Sequence, residues 1–334
     1  MTILNSDICV IIAKYLYKPT KYELLDWIPI NNLNWRELSA NPNAIELLTQ
    51  NKDKIDWMYL SINPNAIELL TNNIDKIDWD WLSSNPNAIE LLNKNIDKIN
   101  WRWLSENPNA ITLLKKNRNK INWEYLSKNP NAIDLLLEEF DNIHWSELST
   151  NHNAIHLLYQ YPQYIDWDKL SSNPNAIELL RENPDKINWK RLSANPNAIE
   201  LIKTNFLSTQ NNVNLYWLSS NPNAIDLVSE YVYNEYDKLI TDTIWFMLSS
   251  NPNAIDLLRQ HVDKINWKQL AKNPNAMELL EENYYQQLII GNTTKVLWET
   301  IWRILSSNPS IFKIKHYDDD IKDSINRTVN IILT

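Results

Sequence analysis

The chain has 334 residues, 44% of them hydrophobic and 22% charged, with 16 tryptophans and one glycine, a composition that excludes disorder and leaves ample apolar surface to bury. A net charge of −9 argues against a phosphate-tracking surface and so against nucleic acid as a partner. The single cysteine, Cys9, permits no intramolecular disulfide, and the apolar run at residues 8–13 is too short for a membrane span and lacks the flanks of a signal peptide; together these predict a soluble, cytoplasmic protein without membrane contact.

Residues 1–30 do not carry the repeat described below. Leu4, Ile8, Ile11, Ile12 and Leu16 fall at helical spacing, Pro19 ends that run, and residues 22–28 are expected in a second short helix, giving an N-terminal helical cap over the first repeat. Leu4-Asn5-Ser6-Asp7-Ile8 with Tyr15-Leu16 is also similar to the opening of an F-box, a resemblance that implies a ubiquitin-ligase adaptor.

From residue 31 the chain is organised by Asn-Pro-Asn-Ala-Ile. Motif starts at Asn41, Asn63, Asn85, Asn107, Asn129, Asn151, Asn173 and Asn195 are 22 residues apart, and Asn221, Asn251, Asn273 and Asn308 follow at intervals of 26, 30, 22 and 35. Residues 31–205 therefore form regular repeats, 206–312 repeats with insertions, and 313–334 a C-terminal cap. In the second unit, Asp56 is placed to N-cap a first helix, with Ile55 and Leu60 as a hydrophobic staple. Pro64 stops that helix. Asn65 and Glu68 are expected as the capping box of a second helix, which Asn73 ends in the left-handed conformation. Helices this short need neighbours, so the tryptophan six residues before each motif, the following leucine, and the Ala-Ile and Leu-Leu pairs are expected to form one continuous core, with Ala66 and its equivalents at close helix contacts.

The predicted fold is an all-α solenoid of about twelve short two-helix repeats of 22 residues, capped at both ends, forming a curved rod on the order of 100 Å long. A leucine-rich-repeat horseshoe has units of similar length but needs an alternating Leu-x-Leu strand, which no segment supplies. The combined pattern at residues 97–114, Asp-Lys-Ile-Asn-Trp-Arg-Trp-Leu-Ser-Glu-Asn-Pro-Asn-Ala-Ile-Thr-Leu-Leu, resembles tandem repeats in proteins of giant DNA viruses of the Mimivirus type. The resemblance covers residues 31–312. It implies a viral protein in the infected cell's cytoplasm with an interaction role, and it supplies no catalytic residues.

Function is expected at the positions that vary. The second residue after each repeat tryptophan is aromatic in four consecutive units, Tyr59, Trp81, Trp103 and Tyr125, and again at Trp217. Exposed, these side chains would anchor a protein partner; packed between units, they would be a second core layer. Asp53, Asp75, Asp97, Asp185 and Asp263, each followed by lysine, read as helix-start acids beside solvated lysines. In unit six, His152 and His156 share a helix face near His144 and Asp141, a spacing that can bind zinc; drift in a degenerate repeat is the preferred reading, so no metal site is assigned. The insertions at 206–214, 232–243 and 284–295 bring an aromatic-rich group that includes Tyr284 and Tyr285. No glycine-rich phosphate loop, nucleophile elbow or Cys-His pair is present, so neither enzyme activity, a cofactor nor a small-molecule substrate is expected. The sequence predicts a non-enzymatic protein-protein interaction scaffold. Alternatives are single-stranded RNA readout by repeats, the F-box-like adaptor, and a structural protein that polymerises through open repeat ends.

Overall fold

The computed structural model describes residues 22–206, 213–232, 238–290 and 295–314. Each unit is two short helices, as the second unit illustrates with Trp57–Ser61 and Ile67–Thr71, followed by a 3-10 turn at Ile74–Lys76. Leu60, Ala66 and Leu70 are fully buried, and their counterparts in other units join one continuous core along the chain. The all-α two-helix repeat is thus the observed architecture. The tryptophans expected at the centre of that core lie at its edge, half-buried, in units one to eight and eleven, whereas Trp245 and Trp302 of units ten and twelve are buried within it.

The ends of the array meet. Strand β1 (Tyr22–Leu24) pairs antiparallel with strand β2 (Phe312–Ile314), Tyr22 opposite Ile314 and Leu24 opposite Phe312. The first helix of unit one packs on the first helix of unit twelve as consecutive first helices do elsewhere. The molecule is therefore a closed ring of twelve units rather than a curved rod, each interface contributing about 30° of rotation. Around Tyr22 the predicted second cap helix is replaced by β1, because the extended segment finds a strand partner at the far end of the chain. The F-box-like residues 4–8 and 15–16, with the rest of residues 1–21, and residues 315–334 of the expected C-terminal cap lie outside the described residues.

The motif asparagine joins the units. Asn63 Nδ2 donates to the carbonyls of Asn41 (2.8 Å) and Ser39 (3.0 Å) in the unit before, while its Oδ1 accepts from the Asn65 backbone N–H (3.0 Å). The same bond between successive motif asparagines recurs through every unit to Asn308, which donates to Asn273. Asn41 then donates to Asn308 at 3.1 Å, so the ladder has no free end. These side chains are almost wholly buried, which explains why the position does not vary: a dry amide with three satisfied bonds has no isosteric substitute. A buried serine at the end of the first helix, replaced by Ala271 in unit eleven, adds a second link. Ser61 Oγ donates to the Trp57 carbonyl (2.7 Å) and accepts the backbone N–H of Asp78 in the next unit (3.1 Å).

Local readings need revision at several points. Asp56 does cap the first helix, accepting from the Tyr59 N–H at 3.1 Å. The second helix, however, begins at Ile67 with Ala66 in the cap position and no side-chain cap; Asn65 instead reaches back to the Pro42 carbonyl at 3.0 Å. Asn73 does not adopt the left-handed conformation. It sits at φ −138°, ψ 51°, and its side-chain amide closes the helix by donating to the Leu69 carbonyl at 2.8 Å, satisfying an acceptor the helix end leaves open. In unit eleven the equivalent residue, Asn283, lies inside the helix Met277–Ile290. Of the lysines expected in solvent, Lys54, Lys76, Lys98 and Lys186 lie over the tryptophan of the preceding unit, with Lys76 over Trp57 and Lys98 over Trp79 both at 4.7 Å, while Lys264 approaches Asp263 instead. Each such contact contributes about 0.5–1 kcal/mol across an interface. In unit seven Tyr164 takes the lysine position and stacks on Trp145 at 4.7 Å.

The insertions at 232–243 and 284–295 lengthen the neighbouring helices, Lys238–Ser250, Met277–Ile290 and Lys295–Ser307, while most of the insertion at 206–214 lies outside the described residues. Tyr284, read as part of an aromatic surface group, belongs to the seam. It contacts Trp298 (4.9 Å), Trp302 (5.3 Å) and Trp27 (6.0 Å), tying the segment before unit one to the last repeat.

Replacing Asn107 by alanine removes two donated bonds and one accepted bond from a dry interface and is expected to cost about 2–3 kcal/mol. Asn109→Ala removes one exposed bond and should cost about 0.5–1 kcal/mol. Denaturant unfolding of the two variants side by side measures the contrast.

Candidate binding wall

The variable pair after each tryptophan lies on the inner side of the ring. Consecutive first helices pack directly on one another round the circle, whereas consecutive second helices approach less, which places the first helices at the smaller radius. Side chains on that face converge, as a concave wall requires. Tyr59 and Trp81 stack with centroids 5.9 Å apart, and Trp103 meets Tyr125 edge to face at 5.8 Å, both closer than the ~8–10 Å between packed helix axes.

Exposure separates the two readings of this column. Trp81, Trp103 and Trp217 retain 38%, 42% and 39% of their surface, and Tyr59 and Tyr125 are half-buried. These rings rest on neighbouring units without becoming a core layer. The strip is also divided in two, since no ring contact joins Trp81 to Trp103 among the described residues. Several faces are already occupied: the Arg36 guanidinium lies 4.5 Å from the Tyr59 ring centre, and Arg102 and Lys128 lie 4.6 and 4.9 Å from that of Tyr125. Sequence reasoning followed only the second member of the variable pair and so passed over Arg36 and Arg102, together with the exposed Tyr216 and Phe246 at the first position. The i, i+3 relation of Tyr125 to Lys128 was the available signal.

Next along the wall the chemistry turns ionic. Glu147, its side chain 14% exposed, receives Lys169 at 2.5 Å and Lys128 at 3.3 Å. Burial pushes its carboxyl up, but the bonds from the two lysines outweigh that and hold it below the usual carboxylate range. Ser146 donates to Asp166 at 2.6 Å, and the Asn188 amide to Asp168 at 3.0 Å, so the wall is cross-linked unit to unit.

The histidines of unit six do not converge on a site. His144, His152 and His156 are exposed, and among the described residues no three potential metal ligands come together. His144 holds the cap position of its helix without a side-chain cap bond. At the seam, Asn31, Asn32, Leu33 and Asn34 face Glu299, Trp302 and Arg303 across a small open cleft. Comparison of the chain with protein-family models, with curated proteins and with solved structures gives no match in any of the three.

Glu147→Gln replaces the shared anion. Because the folded carboxyl titrates below its unfolded value near 4.3, its stabilisation is present at neutral pH and is lost as pH falls through the folded pKa. The variant should be about 0.5–1 kcal/mol less stable than the parent at pH 7, with the gap closing below roughly pH 4 in thermal unfolding followed across pH.

Proposed function

We propose that the chain is a ring-shaped, non-enzymatic interaction scaffold that holds a protein partner against its inner wall. The observation that carries this reading is the partial exposure of Tyr59, Trp81, Trp103, Tyr125 and Trp217 on a concave surface. Aromatic side chains held by neighbours on one side and open on the other lose little entropy on binding and dominate interface energetics. A rigid closed scaffold lowers the ordering cost further. The repeat's likeness to those of giant DNA viruses supports placing the protein in the cytoplasm of an infected cell. No helix among the described residues is long and apolar enough to cross a membrane.

Two alternatives lose support from the geometry. Base stacking by single-stranded RNA needs free ring faces, and within the four-unit aromatic strip a face of each of Tyr59 and Tyr125 is covered by a cation of this chain. Head-to-tail polymerisation was argued from open repeat ends, and here the terminal repeats bind each other.

Trp81→Ala with Trp103→Ala is the direct test. Both side chains are partly exposed, so the double variant should remain folded, each change costing less than the ~3–5 kcal/mol of a fully buried tryptophan. Affinity purification from infected cells should recover a partner with the parent and lose it with the variant. Loss of the folded state instead would make the strip structural and sink the proposal.

A further inference from the structure

The inner wall is not uniform in charge. Three positions of each unit carry the contrast: the two after the repeat tryptophan and the one three residues further on, which lies on the same face where the helix continues and, in unit eleven, is Lys272 in the turn after Trp267–Leu270, its N–H donating to the Gln269 carbonyl at 3.0 Å. Over units one to seven these positions hold six acids, Glu37, Asp80, Glu106, Glu124, Glu147 and Asp168, against four bases. Over units eight to twelve they hold no acid at all. The bases there are Lys190, Arg191, Lys268, Lys272 and Arg303, every one exposed and none in a salt bridge among the described residues. Between them sit Tyr216, Trp217 and Phe246, exposed to 37%, 39% and 36%. Two acids approach the same face, Asp242 and Glu299, but each lies one helical turn earlier, in the added N-terminal turns of the long helices.

In a chain of net charge −9, an arc whose three wall positions per unit hold five cations and no acid, interleaved with open aromatics, is a local inversion of the protein's own field. Surface cations outside any salt bridge are a usual form of electrostatic complementarity to a partner. The dimensions suit an extended chain. Neighbouring side chains on the wall lie 5.8–5.9 Å apart where their rings meet, close to the ~6.6 Å that separates same-side residues of an extended peptide.

We propose that units eight to twelve bind an extended acidic peptide segment of a protein partner, its carboxylates on Lys190, Arg191, Lys268, Lys272 and Arg303 and its intervening side chains on Tyr216, Trp217 and Phe246. This rests on the inner wall being the partner-binding surface. It adds the partner's chemistry and assigns the acidic segment to the arc opposite the Tyr59–Tyr125 strip. Glu37, Asp80, Glu106 and Glu124 repel that segment from the first half of the wall, which orients the partner within the ring.

The test is fluorescence anisotropy on the full chain with labelled short peptides that alternate tyrosine with glutamate, glutamine or lysine, and with an oligothymidylate of similar length. The glutamate peptide should bind, weaken as salt rises, and lose about ten-fold or more in affinity to Lys268→Glu with Lys272→Glu and separately to Lys190→Glu with Arg191→Glu, both pairs being exposed and their folding checked by circular dichroism. Equal binding of the glutamine peptide, or indifference to both charge reversals, would overturn the acidic assignment while leaving the inner wall as a peptide site. Tighter binding of oligothymidylate, lost in the same variants, would make the arc a nucleic-acid surface and overturn the proposal. Failure of every probe would overturn it too, whereas partner capture dependent on Trp81 and Trp103 would still stand by itself.

Discussion

The structure depends on a buried side-chain amide. Each motif asparagine donates to two backbone carbonyls of the preceding unit and accepts one backbone N–H of its own, and it does so where no water competes. Leucine and alanine packing supplies most of the stabilisation, but apolar contacts tolerate small slips. The amide does not. A carbonyl left without its donor costs about 1–3 kcal/mol, so a unit rotated away from its register is penalised at once. That converts an apolar stack into one with fixed rotation per step, and fixed rotation is what lets twelve steps return to their origin.

Much of this was legible in the sequence. The 22-residue period, Pro64 between two apolar segments, Asp56 ahead of Trp57 and the small Ala66 at a crowded contact all specified paired short helices in series, because each depends only on residues close in sequence. The ring was not legible, since closure is the sum of small rotations that no single unit reveals. Its seam pairs Tyr22 with Ile314 across almost the whole chain. Asn73 misled for a different reason: asparagine suits both the left-handed conformation and side-chain capping, and only the observed φ separates the two. The column Tyr59, Trp81, Trp103 and Tyr125 was found because it varies on an invariant frame. Its exposure was not, since a half-open ring on a two-turn helix has the same spacing as a buried one.

The lysine after each helix-start acid illustrates how a repeat reuses its surface. Viewed within one unit, Lys76 is a charge in solvent; viewed across the interface, it covers the open face of Trp57. The half-burial of the tryptophans follows from this, because a ring sealed in the core would leave no face for the cation of the next unit. Where the lysine is lost, as at Tyr164, another flat group fills the place. The binding wall has the opposite logic. There the side chains that change from unit to unit are those that bear no part of the ladder, which leaves them free to differ between one half of the ring and the other.

Closure also fixes the number of units. An open solenoid gains or loses a repeat by lengthening or shortening, and every existing interface stays as it was. Here twelve rotations already complete the circle. A thirteenth unit would have to shave roughly 2° from every interface at once, against the amide ladder that sets the angle, or leave β1 without β2. The chain can still vary in length, and the insertions between units nine and twelve show where: in helices that grow beyond the ladder and leave its pitch alone. Copy number is thus a geometric invariant of this molecule, while the size of an individual unit is not.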